Sequence, residues 1–210
     1  MVRMRMGASV LHEDAIFPVR TAGIPINIKN TNKPEDAGTM IVSDDHDFED
    51  ESNAYTITGI AGRKGFSTIN IEKAMMNSEM GFGMKVLRVL ADNNVSFEHM
   101  PSGIDTMSIT VDTNSLNPVR EKVLSQLRKE VNPDHLEIED GIALLAVVGR
   151  RMKNTRGTVA RIFASMAHAR INVKMIDQGS SELNVIIGVS ENDLNEAIRR
   201  IYDMFISSEK

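Results

Sequence analysis

The 210-residue sequence contains no cysteine and no tryptophan, and aromatic residues make up only 4% of it. Without cysteine there are no disulfides and no thiolate metal ligands. With so few aromatic rings, aliphatic side chains and the 14 methionines must fill the interior, which favours layers of packed aliphatic residues. The composition therefore excludes disulfide-rich domains and cysteine-ligated metal proteins.

The sequence also lacks an excess of positive charge and any long apolar run. Its formal net charge is −5, which removes the basic surface that nucleic-acid binding usually requires. No apolar run approaches the roughly 20 residues of a membrane-spanning helix, and Arg3 and Arg5 are not followed by the apolar segment of a signal peptide. We therefore expect a cytoplasmic protein that binds neither nucleic acid nor a membrane.

An internal repeat organises the residues that are present. Residues 66–111 align without a gap on residues 142–187 at an offset of 76, so that Gly81 matches Gly157. Each copy reads as a strand, a loop that ends in glycine, an amphipathic helix and two further strands. The repeat predicts two small cores rather than one large core.

The first copy predicts the element order β-α-β-β-α-β of a ferredoxin-like unit. Its strands are predicted at 66–71, 95–99, 106–111 and 136–139, and its helices at 82–93 and after Pro118. The second copy predicts the same order but ends after its second helix, so its last strand is missing. Its elements are predicted at 142–148, 158–169, 171–176, 183–189 and from 190 onwards.

A spare strand is predicted ahead of the first copy at 55–59, followed by a turn at 61–65. The second copy lacks one strand and the first has no place for another, so we assign the spare strand to the second unit. The sequence thus predicts an α+β fold of two ferredoxin-like units. The unit at 66–140 is inserted into a unit formed by 54–60 and 141–207.

Residues 1–43 differ from the repeat and predict one helix, stopped near Gly23, followed by two short strands. These elements are too few to fold alone, so the segment is predicted to be the end of a larger domain. Residues 44–53 follow, with six carboxylates between positions 44 and 51. Because the turn glycine of a calcium-binding loop is absent, this stretch predicts a solvated acidic linker.

No residue pattern typical of catalysis or metal binding is found. The sequence has no activated-nucleophile motif, and Gly62-Arg-Lys-Gly65 lacks the spacing of a phosphate-binding loop. The five histidines are scattered and do not have the spacing of metal ligands. We therefore predict no catalytic residue and no metal site in this chain.

Two glycine-containing loops are better candidates for a binding site. At 80–83 and 156–158 each loop runs into a helix N-terminus, where free backbone N–H groups favour a carboxylate. Polar residues of the next strand and turn lie opposite, among them Glu98, which suits an amine. The pattern fits a free amino acid. It fits equally well with glycines that only start a helix beside solvated loops.

Several motifs resemble those of one known family. They are Gly7-Ala-x-Val-Leu-His12, Ala22-Gly-Ile-Pro-Ile26, Asn30-Thr31, Gly38-Thr39, Glu98-His-Met-Pro-Ser-Gly-Ile-Asp105 and Gln178-Gly-Ser-Ser-Glu182. In this order they closely resemble the C-terminal part of aspartokinases, which use ATP to phosphorylate aspartate in the first step towards lysine, threonine and methionine. The resemblance covers nearly the whole chain.

The resemblance implies that residues 1–43 are the tail of the amino-acid-kinase domain and that the two units are tandem ACT regulatory domains, one inserted in the other. The family's N-terminal segment, with its ATP- and aspartate-binding residues, has no counterpart here. ATP and Mg²⁺ are therefore expected only in the missing kinase domain. The chain itself is expected to bind no cofactor, to be inactive alone and to regulate the reaction.

The resemblance also implies an effector site for lysine, or alternatively threonine, in the first unit. Its residues are Met76, Met80, Gly81, Phe82, Gly83, Ser96, Phe97, Glu98, Ser102 and Gly103. A second candidate site lies in the second unit. It consists of Met152, Asn154, Gly157, Thr158, Gln178, Ser181 and Asn184.

Open sheet edges in both units predict a homodimer formed through the ACT domains. A catalytic aspartokinase subunit is a further expected partner. The alternative function is a passive dimerisation module, or a threonine-responsive regulatory subunit, that binds no lysine.

Overall fold

The computed structural model describes residues 13–42, 56–180 and 182–206. The predicted acidic linker, the start of the predicted kinase tail and Ser181 lie outside the described residues. The first described part comprises helix α1 (Glu13–Thr21) and an antiparallel pair of strands, β1 (Ile26–Ile28) and β2 (Thr39–Ile41). The predicted divisions of the chain into a kinase tail, a linker and two units stay predictions.

The remaining strands form a single antiparallel sheet in the order β4-β5-β3-β6-β8-β7, with helices between them. Its elements are β3 (Gly59–Glu72), α2 (Phe82–Asp92), β4 (Phe97–His99), β5 (Thr106–Asp112), α3 (Thr113–Leu116), α4 (Arg120–Val131), β6 (His135–Val148), α5 (Thr158–His168), β7 (Met175–Asp177), β8 (Asn184–Ser190) and α6 (Leu194–Ile206). Short 3₁₀ segments lie at Met76–Ser78, Asn117–Val119 and Arg150–Asn154.

Strands β3 and β6 each pass through both units. The second half of β3, residues 66–72, pairs with β5 and with the first half of β6. Its first half, residues 59–63, pairs with residues 144–148 of β6, which in turn pair with β8. Each half of the sheet thus has the strand order of a ferredoxin-like unit, which confirms the predicted fold with the first unit inserted in the second.

The predicted turn at 61–65 is wrong, because these residues continue β3. Between Arg63 and Phe66 the register shifts by one residue against β6, and Gly65 adopts a left-handed φ of 91°. A matching shift occurs in β6 at Gly141, with φ 71°. Both shifts are β-bulges, which bend a strand without ending it. For the same reason the two strands predicted at 136–139 and 142–148 are one strand.

The ungapped repeat holds through the first helix of each unit but not through the hairpin that follows. Helices α2 and α5 begin 76 residues apart, at Phe82 and Thr158. In the sheet, however, Phe66 pairs with Asp112 while Ile142 pairs with Ser190. The equivalent residues of β5 and β8 are therefore 78 positions apart, two more than at the helices. The second unit therefore has two extra residues in its β7–β8 hairpin, where Gln178 and Glu182 lie.

Three apolar clusters form the interior. One lies between the first-unit strands and helices α2 and α4, around Ile69, Val86 and Leu127, and one lies under α5 and α6, around Leu145, Ile162 and Phe205. The third contains Phe66, Leu144 and Met175 and occupies the opposite face of the sheet. Because Phe66 belongs to the first unit and Met175 to the second, this third cluster joins the two units.

Candidate functional site

The predicted first-unit loop leads from β3 into α2 and is fixed by hydrogen bonds to two aspartates. Met75 N–H donates to Asp105 Oδ1 at 2.7 Å, and Ala74 N–H donates to Asp134 Oδ2 at 2.7 Å. Gly81 ends the loop with a left-handed φ of 78° and immediately precedes α2. The first N–H groups of that helix have no partner within the helix, so they favour an anion.

The N-terminus of α2 lies beside the predicted turn at Ser102. A Cβ atom at Gly83 would stand 3.8 Å from the Met107 methyl group, and Met107 pairs with Ser102 in an isolated β-bridge. Gly103 N–H donates to Thr106 O at 2.7 Å and closes the turn. The start of α2 at Gly83 and the turn at Ser102 therefore both lie next to Met107, and the predicted amino-acid site stays a prediction.

The other predicted first-unit residues have different environments. Met76 and Phe82 are buried in the first-unit core, so they support the loop from below. Met80 is 95% exposed and Phe97 is 44% exposed. Ser96 precedes β4 and is exposed.

Glu98 is not directed at the helix N-terminus in this structure. Its Oε1 atom accepts a hydrogen bond from Arg63 Nη2 at 2.9 Å, and the Arg63 guanidinium also lies 4.4 Å from the centre of the Phe66 ring. Glu98 therefore already has a cationic partner, which a ligand ammonium would have to replace.

A carboxylate absent from the sequence-based prediction lies closer to α2. Glu79 accepts hydrogen bonds from Lys73 at 2.5 Å and from Lys85 at 2.6 Å, and its carbonyl oxygen accepts one from Phe82 N–H at 3.2 Å. The hydrogen bonds from Lys73 and Lys85 hold the pKa of the Glu79 carboxyl below its usual value. The sequence signal that could have indicated this cluster is the presence of Lys73 and Lys85, each six residues from Glu79.

The second unit contains an open cavity of ≈ 370 Å³ at the corresponding place. Gly157 has a left-handed φ of 81° and precedes α5, in the same way that Gly81 precedes α2. The buried Thr158 hydroxyl donates to Thr155 O at 2.8 Å and fixes this corner. Four of the predicted second-unit residues line the cavity, namely Met152, Gly157, Thr158 and Gln178.

One further predicted second-unit residue, Asn184, is not among the residues that line the cavity. Asn184 belongs to β8 and pairs with Val148, and Asn154 ends a 3₁₀ segment. Two charged residues that line the cavity, Lys153 and Glu182, were not among the predicted site residues, and Arg156 was predicted only as the start of the glycine loop. The sequence shows these charged residues close to glycines. They come together at one cavity only because the β7–β8 hairpin is longer in the second unit.

The described residues contain no group of three histidine, aspartate or glutamate side chains placed to hold a metal ion. None of the described helices has the length and apolar character needed to cross a bilayer.

Comparisons with known proteins agree with this architecture. A family model described as an ACT domain matches residues 145–205. Aspartokinase 3 of Bacillus subtilis is 38% identical over 202 residues, which are 96% of this chain and 43% of that protein. The crystal structure of Clostridium acetobutylicum aspartate kinase covers 97% of this chain with 51% identity and a TM-score of 0.89, and the match spans 46% of that protein.

A more distant structure has the same fold. Escherichia coli aspartokinase III, solved in complex with lysine and aspartate, is 22% identical over 96% of this chain and 43% of its own, with a TM-score of 0.70. The chain spans less than half the length of each of these three relatives. Nearly the whole chain is therefore homologous in sequence and in fold to part of an aspartokinase, and residues 145–205 match an ACT domain.

Proposed function

We propose that this regulatory region binds lysine at the first unit as a feedback inhibitor and mediates formation of a homodimer. The catalytic activity it controls would be the ATP-dependent phosphorylation of aspartate. The observation that carries the proposal is that the α2 N-terminus at Gly83 and the Ser102 turn both lie next to Met107, with the Glu79 carboxylate paired to Lys85 of the same helix. The lysine complex of the E. coli relative supports the same choice of ligand.

The charges of the first unit favour lysine over threonine. Lysine carries one carboxylate and two ammonium groups. The carboxylate would accept hydrogen bonds from N–H groups around Gly81 and Gly83, and an ammonium would pair with Glu98. Threonine has no side-chain ammonium, so it could pair with only one of the two carboxylates, Glu79 or Glu98. The other carboxylate would keep the Lys or Arg partner that it has in the structure.

Exposed apolar side chains support the dimer. Met75, Met80, Met84 and Ile104 are between 57% and 95% exposed, and all four lie at or beside the loop that precedes α2. A patch of this kind next to a polar site is typical of a protein interface. A second copy of this chain would cover the patch and would close the ligand site from solvent.

Lysine would inhibit by preferring one of two assembled states. An effector shifts a conformational equilibrium only by its difference in affinity between the states. A ligand that binds only the dimer would stabilise the dimer by roughly 2.7 kcal/mol at 100 times its dissociation constant.

Calorimetric titration with lysine, threonine and methionine tests the proposal, with light scattering on the same samples. We expect lysine to bind, Glu98→Gln to weaken it, and the dimer to persist at lower protein concentration when lysine is present. Glu130→Gln is the matched control, because Glu130 is an exposed residue of α4. Absence of binding by all three amino acids would favour the passive dimerisation module, and binding of threonine alone would favour the threonine-responsive subunit.

A further inference from the structure

We propose that the cavity of the second unit binds a dicarboxylic α-amino acid, a compound with two carboxylates and one ammonium group. The cavity of ≈ 370 Å³ lies within the size range of small-molecule sites. It belongs to a different unit from the proposed lysine site and is lined by different residues. The inference therefore stands whether or not lysine binds to the first unit.

The charges of the lining indicate the ligand class. Lys153 and Arg156 contribute two positive charges, and Glu182 contributes one negative charge. Within 13–42, 56–180 and 182–206, none of the three forms an ion pair with another residue. A ligand with two carboxylates and one ammonium group complements this set, charge for charge.

The cationic side of the cavity also contains a helix N-terminus. Gly157 places the start of α5 at the cavity, and the first backbone N–H groups of a helix lack intrahelical partners. One ligand carboxylate would accept from these N–H groups, and Arg156 or Lys153 would pair with the other. Arginine presents a planar fork of donors that matches a carboxylate.

The acidic side is held by the hairpin between β7 and β8. Glu182 N–H donates to Gly179 O at 3.0 Å, and Glu182 has a left-handed φ of 54°. This conformation is uncommon for a residue other than glycine, and at a cavity mouth it points to a functional position. It keeps Glu182 on the same cavity as Gln178, where the carboxylate and the amide oxygen would receive the ligand ammonium.

The first unit shows why the two sites would select different ligands. There the loop carries its own carboxylate, Glu79, which neutralises Lys73 and Lys85. The second unit has Thr155 at the position of Glu79 and Arg156 at the position of Met80. Its cations therefore remain available for a ligand that brings its own carboxylates.

Titration calorimetry of the 210-residue chain with aspartate, glutamate, succinate, lysine and inorganic phosphate tests the inference. We expect aspartate or glutamate to bind more tightly than succinate, which lacks the ammonium group. Arg156→Met places the first-unit side chain at this position and should weaken binding by roughly ten- to a hundredfold, the effect of losing a hydrogen bond to a charged group. Lys122→Ala, an exposed change on α4, should leave the affinity unchanged.

A second variant tests the ammonium contact separately. Glu182→Gln should abolish the preference for aspartate over succinate while retaining succinate binding. The inference is overturned if no dicarboxylic amino acid binds at millimolar concentration. It is also overturned if phosphate binds as tightly as aspartate and Glu182→Gln changes neither the affinity for phosphate nor the affinity for aspartate. Lysine binding at the first unit would be insensitive to Arg156→Met, so failure of one proposal is distinguishable from failure of the other.

Discussion

His99 in β4 and Asp177 in β7 form a hydrogen bond between the two outer strands of the sheet, with Nδ1 and Oδ2 2.7 Å apart. Beside them, Thr110 Oγ1 lies 3.5 Å from Met175 Sδ. The sheet is thus bent until its edge strands meet, one strand from each unit. Glu98 and Gln178 adjoin these two residues in sequence.

A double-mutant cycle with His99→Gln and Asp177→Asn should reveal coupling between the two units. We expect a coupling energy of about 0.5 kcal/mol in urea unfolding, because Asp177 is 41% exposed and solvent weakens such pairs. If the two single changes add without any coupling, the contact between His99 and Asp177 does not contribute to joining the units.

The bulge glycines give a prediction about backbone conformation. Gly65→Ala should destabilise the fold by about 1 kcal/mol, because a left-handed φ is costly for a residue with a Cβ atom. No atom lies within 4 Å of the added Cβ, so packing does not contribute. Gly179→Ala is the matched control, since it has equal space and no positive φ, and should change stability by less than about 0.5 kcal/mol. Equal effects of the two changes in urea unfolding would contradict the conformational explanation.

Most of the fold follows from the sequence because its signals are local and repeated. The helical periodicity at 82–93 and 158–169 predicts α2 and α5 to within one residue. The turn at 61–65 was misassigned because Gly62-Arg-Lys-Gly65 has the local composition of a turn. Its partner in the sheet is 81 residues away, where Arg63 pairs with Leu144, and that pairing decides the conformation.

The candidate sites were less predictable because their charged residues choose partners through tertiary contacts. Glu98 and Arg63 are 35 residues apart in the chain, and nothing in their spacing indicates that they meet. The cavity of the second unit depends on two residues added to the β7–β8 hairpin, which an ungapped alignment of the repeats conceals. Met76 and Phe82 were predicted as effector-site residues from the resemblance alone, and both lie in the first-unit core.

The Glu79 cluster predicts a pH dependence of stability. The pKa of Glu79 is lowered from 4.5 by hydrogen bonds from Lys73 and Lys85, so the carboxylate contributes stability above pH 4.5. This contribution is lost as the pH falls through the lowered pKa of the folded state. Glu79→Gln should therefore reduce the free energy of unfolding at pH 7, and its difference from the unmodified chain should shrink below pH 4.5. Urea unfolding measures this, with Glu130→Gln as an exposed control whose small effect should not follow the same profile.

Arg63 gives the sharpest test of the proposed lysine site, because it holds the carboxylate that the ligand needs. Binding of an ammonium to Glu98 requires Arg63 Nη2, now 2.9 Å away, to leave. Arg63→Gln removes this competitor and should tighten lysine binding about two- to fivefold, the equivalent of a partly exposed ion pair. Arg63→Lys keeps the charge and should remain close to the unmodified affinity. Thermal unfolding of each variant separates this effect from the lost contact between Arg63 and the Phe66 ring. If Arg63→Gln instead weakens lysine binding in a fully folded protein, Arg63 does not compete with the ligand, and Glu98 is not the group that receives its ammonium.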